Sequence, residues 1–145
     1  RHSNIRAINS IIDANINRAK EGLRVCEEIT RFILNSHTLT SHFKRIRHKI
    51  NAVLKRLPPN NIIIKDRESL KDVGKEIYIN ELKRKNYHDI FFANIQRVKE
   101  SIRVLEEFTK LINTNIAVEF KKIRYGVYEI EKKAIRRLPS LRNYR

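Results

Sequence analysis

The chemistry available to this chain is concentrated in one pattern that occurs twice. Ala14-Asn15-Ile16-Asn17-Arg18-Ala19-Lys20-Glu21-Gly22-Leu23-Arg24-Val25-Cys26-Glu27-Glu28 returns as Ala93-Asn94-Ile95-Gln96-Arg97-Val98-Lys99-Glu100-Ser101-Ile102-Arg103-Val104-Leu105-Glu106-Glu107. Ten of these fifteen positions are identical, at a constant offset of 79 residues. Asparagine, arginine and glutamate follow one another at steps of three, which keeps them on neighbouring positions of a helix surface. Such a set can grip a phosphate through the guanidinium, hold a hard divalent cation through carboxylates, and orient a ligand through the amide.

A helical projection ranks these residues. One apolar stripe holds Ile16, Ala19, Leu23, Cys26 and Ile33, and a second patch holds Ala14, Val25 and Phe32. Arg18 and Gly22 fall between the two, and Glu21 and Glu28 flank the second. Asn15, Arg18, Glu21 and Glu28, with Asn94, Arg97, Glu100 and Glu107, are therefore expected at or near buried seams between helices. A buried arginine must meet a carboxylate or a phosphate. Arg18 and Arg97 can do so by pairing with glutamates across a pseudo-twofold axis or by binding a ligand. Arg24, Glu27, Arg103 and Glu106 point away and are expected on a solvated face. Gly22 matches Ser101, and two small residues at one place favour a close helix crossing. Asp13 stands where the second copy has Phe92, so the two halves need not be equivalent.

Between the copies, Arg67-Glu68-Ser69-Leu70-Lys71-Asp72-Val73-Gly74-Lys75 has no repeated counterpart. It reads either as an ordinary surface connection or as a loop holding phosphate through Arg67 and Lys75 and a magnesium ion through Glu68 or Asp72. The sequence contains no Walker GxxxxGK[ST], GxGxxG, CxxC or HExxH signature. The five histidines are scattered, which argues against a histidine metal site or a Ser-His-Asp triad.

The elements that must carry these residues are helices. The spacing predicts a first helix from about Asn4 to Asn35, ended by Asn35 and Ser36. A second, capped by Thr38 or Thr40, stops before Pro58-Pro59. A third runs from about Tyr87 to Asn113 and a fourth from about Ile116 to Leu138. A brief helix is expected over Glu76–Lys85, and Asn60–Ile64 could add a short extended piece. The echo Phe43-Lys44-Arg45-Ile46-Arg47 against Phe120-Lys121-Lys122-Ile123-Arg124, now at an offset of 77, extends the repeat into the second helix of each copy. We therefore expect an all-α, antiparallel, pseudo-twofold bundle forming one domain over residues 1–138. Its parts are repeat one (4–57), a connector (58–86), repeat two (87–138) and a basic tail (139–145).

With 41% hydrophobic residues the chain is no disordered polymer, and no apolar run approaches a membrane span. The single Cys26 aligns with Leu105, reads as a small core residue, and suits a reducing cytoplasm. The net charge of +16 is compatible with nucleic acid, an anionic membrane or a polyphosphate ligand, and equally with a hot habitat or an AT-rich genome.

The combination Ile11 to Val25, then Arg67-Glu68-x-x-x-Asp72-Val73-Gly74, then Ala93-Asn94-x-x-Arg97-Val98-x-Glu100-x-x-Arg103-Val104-Leu105-Glu106-Glu107, resembles a small helical family of thiamin biosynthesis. Members occur alone or fused ahead of thiamin-phosphate synthase, and the family is described as an alternative hydroxymethylpyrimidine-phosphate kinase. The resemblance spans roughly Ile11 to Leu138, and the lack of a synthase-like barrel beyond it implies the standalone form. It implies transfer of the ATP γ-phosphoryl group to 4-amino-5-hydroxymethyl-2-methylpyrimidine phosphate, with magnesium. It also implies a functional link to thiamin-phosphate synthase. On that expectation Arg18, Arg97 and Arg67 act as catalytic cations. Glu21, Glu28, Glu100, Glu107 or Asp72 bind the metal, and Asn15, Asn94, Asp13 and Gly74 contact substrate. A homo-oligomer whose interface completes the site is compatible with the pattern. Two rivals compete: a basic helical nucleic-acid-binding protein, favoured by pI 10.3 and the cluster Lys44–Lys49, and a structural homodimer that binds no nucleotide.

Overall fold

Apolar residues at helical spacing give each half of the chain one face to bury, and helix hairpins satisfy both. The computed structural model describes residues 2–58 and 84–138. Helix α1 spans His2–Glu28 and runs on through a π-helical turn, Ile29–Ile33; α2 spans His37–Leu54. Helix α3 spans Tyr87–Phe108, ends in a 3-10 turn, Thr109–Leu111, and is followed by α4, Thr114–Arg137. No strand occurs among the described residues, and the all-α architecture is as expected. None of the described helices is long and apolar enough to cross a membrane.

The helix ends follow capping chemistry. Asn35 takes a positive φ of 51°, a conformation asparagine tolerates better than most residues, and stops the first segment. Ser36, rather than Thr38 or Thr40, caps α2 by accepting from the Leu39 amide at 3.2 Å. The Thr40 hydroxyl instead lies 2.7 Å from the Ser36 carbonyl oxygen and 2.9 Å from the Thr30 hydroxyl. Asn86 caps α3, and Asn113 caps α4, moving its start ahead of Ile116.

The turn also explains the shift in repeat offset from 79 to 77. Thr30 and Thr109 still correspond at 79, whereas the caps Ser36 and Asn113 correspond at 77. The first copy has five residues between these points and the second three, so one turn is wide and π-helical and the other tight. Arg84 and Lys85 are not helical. The rest of the helix expected over Glu76–Lys85, the extended piece at Asn60–Ile64, most of the connector and the basic tail lie outside the described residues.

The core is centred on an antiparallel α1–α3 pair, with α2 against α1, α4 against α3, and α2 against α4. Phe43 of α2 and Phe91 of α3, both fully buried, meet edge to face at 6.2 Å and tie the two hairpins together. Cys26 lies beside them, its Sγ 3.8 Å from the Phe91 carbonyl oxygen. Burial pushes its thiol pKa far above the usual range, so it behaves as a small apolar residue.

Gly22 sits at the α1–α3 crossing, as its pairing with Ser101 suggested. A Cβ there would come within 2.7 Å of Val98 Cγ2 and 3.0 Å of the Asn94 carbonyl oxygen. Alanine would bring a gain in helix propensity of about 1 kcal/mol, but the clash includes backbone that cannot rotate away. Gly22→Ala is therefore expected to destabilise by about 1–3 kcal/mol; a urea midpoint at or above wild type would refute the close crossing.

Candidate functional site

The strongest polar contacts join the inner and outer helix of each hairpin. Arg47 donates through Nε to Glu27 Oε1 at 2.7 Å and through Nη2 to Oε2 at 3.2 Å. Arg124 makes the same fork on Glu106, at 2.6 and 3.3 Å. Both glutamates are only 4% exposed. That overturns the solvated face expected for Glu27 and Glu106. A projection of α1 alone marks them as outside the apolar stripe, but the outer helix extends past the stripe and covers them. Arg24 and Arg103 are exposed as expected, and Arg103 reaches Glu107 at 3.1 Å and Glu106 at 3.7 Å. The signal for the buried pairs lay in the sequence: Glu27 and Arg47 both return unchanged, as Glu106 and Arg124.

At the α1–α3 seam, Asn15 is buried and Asn94 half-buried, and each donates its side-chain amide to a carbonyl four residues earlier, Ile11 and Ile90, at 2.8 Å. Arg18 is half-buried and donates to Asn15 Oδ1 at 3.4 Å. Arg97 is exposed, contrary to the seam position expected for it. Neither arginine meets a carboxylate among the described residues, so the cross-axis ion pairing does not form.

Glu21, Glu28, Glu100 and Glu107 are also exposed, another correction: the flank of the second apolar patch is not covered by a neighbouring helix. Glu100 accepts from Gln96, and Glu107 is held by Arg103 and Lys110. Among the described residues no three His, Cys, Asp or Glu side chains gather to hold a metal. Asp13 is buried and takes the Asn17 amide on its Oδ1 at 3.3 Å, whereas its counterpart Phe92 is exposed. Arg67, Asp72 and Gly74, together with Glu68 and Lys75, lie outside the described residues.

Two cation-rich depressions open on the outer seams. One, about 340 Å³, lies between α3 and α4 and is lined by Gln96, Lys99, Glu100, Arg103, Arg124 and Tyr128. Lys99 there binds both oxygens of Glu131, at 2.9 and 3.1 Å, and stands 4.9 Å from the Tyr128 ring centre. The hydrogen bond to Glu106 raises the Arg124 pKa further above its ordinary value. The other, about 260 Å³, lies between α2 and α4 and includes Lys49, Arg56 and Lys122. The cations of the first are held by Glu131, Glu106 and Glu107, whereas Lys49 and Arg56 make the second better suited to an anion than to a cation.

Two histidines set a pH dependence. Burial lowers the pKa of His88, with Asp89 pulling it partly back. Burial, then Lys133 and Arg45, lower that of His42. Below the ordinary value of 6.5 the unfolded chain therefore binds protons that the folded chain refuses. Thermal stability is expected to be flat above that value and to fall as pH drops toward the lowered native values. Melting curves between pH 8 and 5 test this, with His42→Asn reducing the slope.

The fold and these contacts define a class: a small all-α bundle of two like helix hairpins, each stapled by a buried arginine–glutamate fork. The chain belongs to the ThiD2 family, whose sequence profile matches residues 10–133. It is 40% identical over 122 residues to a thiamine-phosphate synthase of Nostoc punctiforme, covering 83% of this chain and 33% of that protein. A thiamine-phosphate synthase of Synechocystis is 36% identical over 132 residues, covering 86% of this chain and 35% of the relative. One of Rhodopirellula baltica is 36% identical over 124 residues, covering 85% and 33%. The chain thus spans about a third of the length of these relatives. No solved structure gives a significant match.

Proposed function

We propose that this protein acts in thiamin biosynthesis as a kinase, transferring phosphate from ATP to 4-amino-5-hydroxymethyl-2-methylpyrimidine phosphate. The observation that carries the reading is the family match across residues 10–133. Relatives named thiamine-phosphate synthase add support for a role in thiamin biosynthesis.

The chemistry suits a protein with this inventory. The acceptor is already an anionic phosphate oxygen, so no strong nucleophile is required. The barrier is repulsion between two anions, which fixed cations lower. Arg18 is a half-buried guanidinium whose side-chain partner among the described residues is the neutral Asn15 amide, leaving its charge available. Arg97 and Arg67 are proposed to contribute to the same field, with Asn94, Asp13 and Gly74 as substrate contacts. The described carboxylates do not form a protein-built magnesium cage. Magnesium enters this reading with the nucleotide. A homo-oligomer and an association with thiamin-phosphate synthase remain part of the proposal.

The test is phosphorylation of hydroxymethylpyrimidine phosphate by purified protein with ATP and magnesium, alongside Arg18→Ala and Arg97→Ala. Diphosphate formation by the wild type, reduced about 100-fold or more in folded Arg18→Ala, is expected. A folded wild type that gives no turnover would sink the assignment.

A further inference from the structure

The two copies differ in how they treat one lysine. Stepping two helical turns back along the inner helix and two forward along the outer one leads from Glu106–Arg124 to Lys99–Glu131. The same steps lead from Glu27–Arg47 to Lys20 and Leu54. Lys99 is bound by Glu131 and packs on Tyr128. At the matching places in the first copy stand Leu54 and Asn51, which supply neither carboxylate nor ring. Lys20 is half-buried and has no ion-pair partner among the described residues. Arg24 likewise has none, whereas its counterpart Arg103 is held by Glu107 and Glu106.

At the lysine the outer helices account for the difference, whereas Arg24 has Glu27 and Glu28 at the same spacing as Arg103 has Glu106 and Glu107 and does not pair with them. Each acidic residue of α4, namely Glu119, Glu129 and Glu131, stands where α2 has His42, Ala52 and Leu54. No Asp or Glu occurs anywhere between Glu28 and Asp66. One flank is therefore neutralised internally and the other is not. Lys20 lays its stem on the half-buried flank, and there the fold provides the staple Glu27–Arg47 but no counter-charge for the lysine.

We propose that the α1–α2 flank of the first copy is a binding site for a ligand carrying a phosphate or diphosphate. Lys20 and Arg24 are its anion contacts, and Asn51 is a neutral donor beside them. The α3–α4 flank is the same surface with its charge already satisfied. Arg47 contributes position more than charge, since its fork is committed to Glu27. The site stands apart from Arg18, which lies one turn before Gly22 on the side of α1 that meets α3. It does not depend on the kinase reading.

Calorimetric titration of the full chain with inorganic pyrophosphate at low ionic strength tests it. Wild type is expected to bind one equivalent. Lys20→Gln should weaken binding by about 10-fold to 100-fold, the worth of one charge-assisted contact, and Lys99→Gln should leave it unchanged. Leu54→Glu, which gives Lys20 the partner that Lys99 has, should weaken binding as Lys20→Gln does, with folding checked by circular dichroism. Equal loss in Lys20→Gln and Lys99→Gln, or no binding by wild type, overturns the site. An oligonucleotide that binds this face and is not displaced by pyrophosphate would assign it to nucleic acid and overturn it too. Loss of pyrophosphate binding in Lys20→Gln alone supports the site even where the wild type shows no kinase turnover.

Discussion

Replacing Glu106 with alanine is expected to lower the unfolding free energy by about 3–5 kcal/mol. The carboxylate is the sole bidentate partner of Arg124 among the described residues, and both side chains are largely withdrawn from water, 6% and 14% exposed. Removing the acceptor leaves a guanidinium desolvated by the α3–α4 interface, with Tyr128 as a weaker hydrogen-bond partner. The loss is therefore dominated by the orphaned charge rather than by the net worth of the pair. A second variant separates the two: replacing Glu106 and Arg124 together with leucine should recover most of the stability, because no charge is then left unpaired. Glu27→Ala should behave alike through Arg47, whose side chain is 19% exposed. Urea unfolding measures each variant, and a loss below about 1 kcal/mol in Glu106→Ala would mean that the pair is solvated like an ordinary surface bridge.

Phe91→Ala is expected to cost about 3–5 kcal/mol, the range for truncating a fully buried aromatic. Phe91 has no exposed surface, meets the Phe43 ring edge to face, and its backbone carbonyl faces Cys26. It joins α3 to both α1 and α2, so the cavity would open at the junction of the two hairpins where helices cannot readily close in. Phe91→Leu keeps much of the volume and should cost less than half as much. An equal loss in the two variants would indicate that the ring's fit, rather than the cavity, is what matters. Against a typical domain stability of about 5–15 kcal/mol, either this substitution or Glu106→Ala would leave a marginal protein.

The repeat made most of the fold legible. Period, caps and the shared Glu and Arg positions specify two helix hairpins, and even the two-residue change in offset fixes where one interhelical turn is longer than the other. Cys26 as core and Gly22 at a close crossing follow from the same comparison. Local sequence could not decide burial beyond the apolar stripe. Glu27 and Glu106 sit outside that stripe and are buried because a second helix overhangs them. Glu21, Glu28, Glu100 and Glu107 flank an apolar patch and are exposed because no helix covers that flank.

A helical projection knows only its own axis; which of its faces a neighbour covers depends on crossing angle and side-chain bulk in another part of the chain. The sequence by itself thus determined that there are two like hairpins and which residues they share. Only the tertiary structure decided which shared charges are paired, since an ion pair needs both partners brought within about 4 Å and that distance is set by packing. Lys20 and Lys99 are the same residue in the sequence repeat; the outer helix beside Lys99 supplies a carboxylate and the one beside Lys20 supplies none.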